Sequence, residues 1–242
     1  MVLLRVLFIT SLLFSSSLQA FDFNLELDEK MSKFDDKYGP TPWIILGGSA
    51  ATAMAYLMRK DRSYRKRESY EETQPLQGLG FVGDIIGYGF LNGTYTLALG
   101  WYGFKYDDIE AKRSAELMAR ASAYTLATTM LLKNLIHEKR PGYPDDDQSF
   151  PSGHSAASFA FASVVTLRHG WGWGSLAYTM AGFIAVSRVN DDYHYLHDLL
   201  AGATIGAAYA YGVHQNFKNG QSYWFSLAPL PQGLGAVASL EF

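Results

Sequence analysis

Lys133 and Arg140 lie seven positions apart in the run Lys133-Asn-Leu-Ile-His-Glu-Lys-Arg140-Pro141. On a helix of about 3.6 residues per turn, that spacing sends both cations out from nearly the same face. Pro141 disfavours helix at Arg140, so the pattern predicts both side chains in the final turns, where the helix dipole accepts positive charge. Two cations on one face suit an anion, although Lys and Arg at a helix end are also commonly just solvated. A second cluster, Phe150-Pro151-Ser152-Gly153-His154-Ser155, follows a loop carrying Asp145, Asp146 and Asp147. Ser152 is an N-cap residue type, and Gly153 would let its backbone N–H approach a ligand at the positive end of the dipole. An ordinary capped helix with an exposed His would read the same way.

The third cluster is Ser187-Arg188-Val-Asn-Asp-Asp-Tyr-His194-Tyr-Leu-His197-Asp198. On a helix His194 and Asp198 are neighbours, so the carboxylate can accept from the imidazole and fix its tautomer. An oriented, basic imidazole is a nucleophile or a general base. A metal site would use His194, His197 and Asp198, but the adjacent residues 197 and 198 face different directions on a helix, which disfavours it. In this order, K-x6-R-P, PSGH and S-R-x5-H-x3-D resemble the tripartite signature of the type 2 phosphatidic acid phosphatase superfamily. That superfamily comprises lipid phosphate phosphatases, bacterial class A acid phosphatases and vanadium haloperoxidases. The motifs span 133–198, and only nine residues separate Pro141 from Pro151, which limits any insertion over the pocket.

The resemblance implies that His194 attacks phosphorus to form a phosphohistidine and that Asp198 orients it. It implies that His154 protonates the leaving oxygen and then activates water. Lys133, Arg140 and Arg188 would hold the non-bridging oxygens, aided by Ser152 and the Gly153 N–H. Fixed cations can stabilise the spread charge of a transferring phosphoryl group, so no metal or cofactor is expected. Vanadate would enter as an inhibitor, or as a cofactor were the chain a haloperoxidase. The expected reaction is hydrolysis of a phosphate monoester or pyrophosphate, on a lipid. The alternatives are a soluble periplasmic broad-specificity acid phosphatase, a vanadium haloperoxidase, which the small size disfavours, and a catalytically silent envelope protein.

Composition supports these limits. The 242 residues carry a formal charge of −3 and are 48% hydrophobic and 18% charged, enough to bury a core and too acidic for a nucleic-acid partner. Zero Cys removes thiolate metal sites and cysteine nucleophiles. His137, His169 and His214 fall outside the clusters and are expected at the surface or at helix ends.

The elements that must hold these residues read as helices. The pattern predicts an all-α bundle of about six helices with a short C-terminal β-hairpin at about 222–242. Helices are expected over 43–58, 85–104 and 112–139, with three more starting near Ser152, Ser175 and His194. Residues 1–20 have the layout of a secretory signal peptide, which places the mature domain, 21–242, in the periplasm or on the periplasmic face of an envelope membrane. Stretches 38–58, 85–104, 169–187 and 199–217 approach the length of a membrane span, about 20 residues. Against this, mean hydropathy is −0.04 and Glu116 and Arg120 lie in the third helix, a pattern that a buried core helix shares. Membrane association is the expectation, with a phosphorylated lipid or small phosphate ester as partner. The basic run RKDRSYRKR could touch anionic head groups or form a solvated face.

Overall fold

The computed structural model describes residues 27–59, 76, 80–87, 89–143, 145–220, 222–230 and 233–241. The leader and most of the basic run lie outside these residues. The helices are α1 (Leu27–Tyr38), α2 (Thr41–Met58), α3 (Gly80–Gly87), α4 (Phe90–Tyr106), α5 (Ile109–Ile136), α6 (Gly153–Asn190) and α7 (Leu196–Lys218). An all-α bundle is therefore the observed class. The longest interface joins α6 to α7; α2 and α5 pack on α7, α3 and α5 on α6, and α4 on α5. Leu117, Met118 and Ala121 of α5, Val164 of α6, and Ala210 and Val213 of α7 form one buried cluster.

Small side chains determine how closely α6 and α7 approach. A Cβ on Gly206 would fall 2.1 Å from the Ala156 carbonyl oxygen, and one on Gly202 would fall 2.4 Å from that of Ser152. Both are contacts against backbone, which cannot swing aside. The Ser155 hydroxyl then donates to Leu199 O at 2.8 Å, and Ser152 N–H donates to Asp198 O at 3.0 Å. The start of α6 and the start of α7 are thus joined by hydrogen bonds as well as by packing.

Four expected boundaries change. The stretch 85–104 is two helices, α3 and α4, separated at Gly89, whose φ of 81° belongs to the left-handed region. The helices expected from Ser152 and Ser175 are two legs of α6, kinked at Gly170, where φ is 80°. The third helix ends at Ile136, where His137 takes a left-handed φ of 53° and closes the helix through a hydrogen bond to Lys133 O. Lys133 is therefore in the last turn, and Arg140 lies in the following loop rather than one face further along the helix. Finally, α7 starts at Leu196, so His194 sits in the α6–α7 loop and not on the helix.

The close approach predicts that Gly206→Val destabilises the protein by about 2 kcal/mol or more, since overpacking commonly costs about 1–3 kcal/mol. Thermal unfolding of the variant beside Gly212→Ala, whose Cβ would meet only Thr41 at ordinary contact distance, checks this.

Candidate active site

Ser152 caps α6 as its residue type suggests: its hydroxyl accepts from Ser155 N–H at 3.4 Å. His154 follows in the first turn, held over α3 by Nε2 lying 3.2 Å from both Asp84 O and Asp84 Oδ1. Gly153 has space where a side chain would go, because a Cβ there would meet only Thr129 Cγ2 at 3.8 Å. Packing therefore does not require a glycine at this point.

Arg188 closes the second leg of α6, and its guanidinium is almost fully buried. Nη1 lies 2.5 Å from Asp84 Oδ1, Nη2 donates to Gly80 O at 2.9 Å and to Asp191 Oδ2 at 3.1 Å, and Nε donates to Ser187 Oγ at 3.2 Å. Beyond it the loop turns back, and the Tyr193 and His194 N–H groups both donate to Arg188 O, at 3.1 and 3.3 Å. This turn, rather than a helical repeat, carries His194 to Asp198. Asp198 stands in the first turn of α7, where Oδ2 accepts from Tyr195 N–H at 2.8 Å in a capping box. The same oxygen accepts from Ser149 Oγ at 2.6 Å and faces His194 Nδ1 at 3.5 Å.

The remaining cations arrive from the other side. Lys133 Nζ donates to Gln148 O at 2.5 Å, and Arg140 Nε pairs with Asp146 Oδ2 at 2.8 Å. Arg140 also lies over the Tyr193 ring at 5.3 Å. The expected pairing of Lys133 with Arg140 through one helix face is replaced by a loop that folds back: Arg140 N–H donates to Asp146 O, and Ser149 N–H donates to Glu138 O.

These neighbours alter the titration of the group. Burial, reinforced by Arg140, lowers Lys133 to about 8. Burial and the nearby Arg188 lower His154 to about 4, against the pull of Asp84. Burial also lowers His194, although Asp198 opposes it. Asp198 is held well below the ordinary carboxylate range: burial pushes it up, but hydrogen bonds and charge from His194 and His197 prevail. Both imidazoles are thus biased toward the neutral form, His194 facing the fully buried Asp198 and His154 the partly exposed Asp84.

Sequence reasoning missed Asp84, Ser149, Glu138 and Arg59. Asp84 borders a stretch read as uncharged, and Glu138 sits inside the first cluster, but nothing in a single sequence signals that either faces the site. Arg59, first of the basic run and partly exposed, pairs with the buried Glu138 and packs over the rings of Tyr56 and Tyr195. Among the described residues, the three groups that converge as metal ligands would are Glu138, His197 and Asp198, with His194 outside the set. His137 and His169 are exposed, as expected, and His214 is half-buried.

A family model, the PAP2 superfamily, matches residues 117–221, the region that holds every one of the signature residues. Over that region, somewhat less than half of the chain, the sequence is similar to the PAP2 superfamily. A Lipid A 1-phosphatase of Porphyromonas gingivalis is 43% identical over 61 residues, which is 24% of this chain and 14% of that protein. The crystal structure of Aquifex aeolicus LpxE aligns with a TM-score of 0.44 at 22% identity, covering 65% of this chain and 98% of that one. The crystal structure of a transmembrane PAP2-type phosphatidylglycerolphosphate phosphatase from Bacillus subtilis aligns with a TM-score of 0.46 at 17% identity, covering 90% and 96%.

If Lys133, Arg140 and Arg188 bind an anion together, loss of the Lys133 proton on the alkaline side removes one charge from the set. The expected kcat/KM for phosphate release falls as pH rises through about 8. Lys133→Arg, which keeps its charge, moves that limb to higher pH, whereas Lys133→Ala lowers kcat/KM by roughly 10²–10³-fold across the range. A pH–rate profile of the three proteins checks both outcomes.

Proposed function

We propose that this protein is an exported, metal-independent phosphatase that hydrolyses a phosphate monoester or pyrophosphate on a lipid through a phosphohistidine intermediate. The observation that carries this reading is the difference between the carboxylates that the two imidazoles face: His194 faces the fully buried Asp198, whereas His154 faces the partly exposed Asp84. Nδ1 of His194 faces Asp198 Oδ2 at 3.5 Å, which favours Nε2 as the attacking atom.

In the first half-reaction His194 Nε2 attacks phosphorus and the bond to the leaving oxygen breaks, while His154 supplies a proton to that oxygen. Protonated His154 forms when the phosphate dianion enters, because the added negative charge raises a pKa that burial and Arg188 hold down in the free protein. In the second, His154 takes a proton from water as the water attacks phosphorus, and the P–N bond breaks to release phosphate. Asp198 stabilises the imidazolium character that His194 gains in each step, as the carboxylate of a catalytic triad does. Lys133, Arg140 and Arg188, with Ser152 and the Gly153 N–H, hold the non-bridging oxygens. The open space at Gly153 suits close approach by a ligand to this helix start.

A lipid carrier is supported by the family match, by the name of the Porphyromonas relative and by the outer surface. Among the described residues no helix is long and apolar enough to cross a membrane. Exposed large apolar side chains nevertheless cluster on three helices: Trp43, Leu46, Met54, Leu57 and Met58 of α2, Leu97, Trp101 and Phe104 of α4, and Leu126, Met130 and Leu131 of α5. We read these faces as the membrane-associating surface. The C-terminal hairpin belongs to the same proposal. Its support is an antiparallel register from Ser222 opposite Glu241 to Leu230 opposite Gly233. A single mature domain from residue 21 and a signal peptide before it complete the reading.

Trapping the intermediate tests the assignment. After rapid acid quench with a phosphorylated substrate, mass spectrometry should find the phosphoryl group on the peptide containing residue 194. His194→Ala should abolish it, whereas His154→Ala should retain labelling from p-nitrophenyl phosphate, whose leaving group needs little protonation, and should slow its hydrolysis. A phosphoryl adduct on His154 would reverse the roles. Activity is also expected to persist in excess EDTA and to be inhibited by orthovanadate, a five-coordinate mimic of the transition state when bonded to His194. Loss of activity in EDTA that a divalent metal restores would overturn the metal-free mechanism. Arg188→Lys should cripple turnover even though charge is kept, because an ammonium cannot bind two phosphoryl oxygens side by side.

A further inference from the structure

Behind the catalytic pair lies a buried row of charges that the reaction as described does not use. Asp198 turns Oδ2 toward His194, Ser149 and Tyr195 N–H, and its other oxygen, Oδ1, lies 3.0 Å from His197 Nε2. The same His197 nitrogen lies 3.1 and 3.0 Å from the two oxygens of Glu138. Glu138 in turn pairs with Arg59. The His197 ring is enclosed by aromatic neighbours: Tyr195 at 5.4 Å and Phe150 at 6.0 Å are stacked on it, and Tyr56 meets it edge-on at 5.1 Å.

We propose that His197 is a positioning residue for this phosphatase reaction, gripping Asp198 Oδ1 so that Oδ2 stays turned to His194, with Glu138 and Arg59 as its counter-anchor. The inference rests on the assignment of His194 as nucleophile. Two carboxylates that meet at one ring nitrogen favour a positive charge between them, and the stacked rings of Tyr195 and Phe150 suit an imidazolium. Burial works against that charge, but Asp198 and Glu138 together overcome it and hold His197 up at about 9. A fixed positive charge on the far side of Asp198 has a second effect. It offsets part of the field with which Asp198 favours protonated His194, and so helps to keep the nucleophile in its neutral form. The other groups acting on His194 are Lys133 and Arg140, and His154 senses it in turn. The cations push in the same direction as His197.

The test uses the full-length protein with ring-15N-labelled histidine and, for activity, phosphate release from phosphatidate in mixed detergent micelles. His197 should be the imidazolium at pH 7, titrating near pH 9, and Asp198→Asn should lower its midpoint. His197→Gln keeps a side-chain N–H donor but removes the charge. In this variant the acidic limb of kcat/KM should move to higher pH by roughly one pH unit, as protonated His194 is no longer disfavoured. A residue that only supports the fold would instead lower Tm and reduce activity equally at every pH, leaving the limb in place. That result overturns the proposal, as does a His197 that is neutral at pH 7 or whose titration ignores Asp198→Asn. Should the wild-type protein release no phosphate, the phosphatase reading fails by itself, and the two spectroscopic outcomes still decide whether His197 grips Asp198.

Discussion

The contact of α6 with α7 at Gly202 and Gly206 is the constraint on which the site depends. Neither helix could move away by the width of a methyl group without separating Ser152 N–H from Asp198 O and Ser155 Oγ from Leu199 O. Those bonds tie the cap of one helix to the first turn of the other. One helix start carries Ser152, Gly153 and His154 and the other carries Asp198, so the distance between the proposed general acid and the proposed support of the nucleophile is set by backbone packing rather than by flexible side chains. Rigid placement of this kind is what phosphoryl transfer most needs from a protein, because positioning and charge stabilisation supply most of its catalysis.

Around this pair the charges are layered. His194 and His154 are biased toward the neutral form in the free protein, with Arg188 buried beside them and Lys133 and Arg140 nearer the surface. Each cation is already partnered: Lys133 by the backbone carbonyl of Gln148, Arg140 by Asp146, Arg188 by Asp84 and Asp191. Behind His194 the order is carboxylate, imidazole, carboxylate, guanidinium, from Asp198 through His197 and Glu138 to Arg59. Alternation of sign is how a protein keeps so many ionisable groups out of water without leaving one uncompensated.

Much of this was legible in the sequence, for identifiable reasons. The α-helical class followed from long apolar stretches with small residues, and Ser152 as a cap followed from its residue type before an Ala-rich run. Spacing arguments were weaker, because they assumed that helices continue. Lys133 and Arg140 were placed on one face, but the left-handed His137 ends the helix between them, and a folded-back loop brings Arg140 into place. His194 and Asp198 are close for a reason other than helical repeat: a turn anchored on Arg188 O delivers the histidine, and the capping box fixes the aspartate. Asp84 and Glu138 could not be found at all. Each is an isolated acidic residue whose meaning comes from partners 104 and 59 positions away in the chain.

Asp84 gives the resting protein one more property. Its carboxylate rests on Arg188 and beside His154, two groups that would receive a phosphoryl oxygen and a leaving group. In the proposed reaction, substrate entry would be an exchange of anions, in which an incoming group displaces a carboxylate already seated on a buried guanidinium. A singly charged anion such as chloride or acetate brings no more charge than the group it displaces. A phosphoryl dianion brings twice as much on three oxygens, and it reaches Lys133 and Arg140 as well. In the proposed reaction the internal carboxylate would therefore act as a threshold that favours multiply charged anions over singly charged ones.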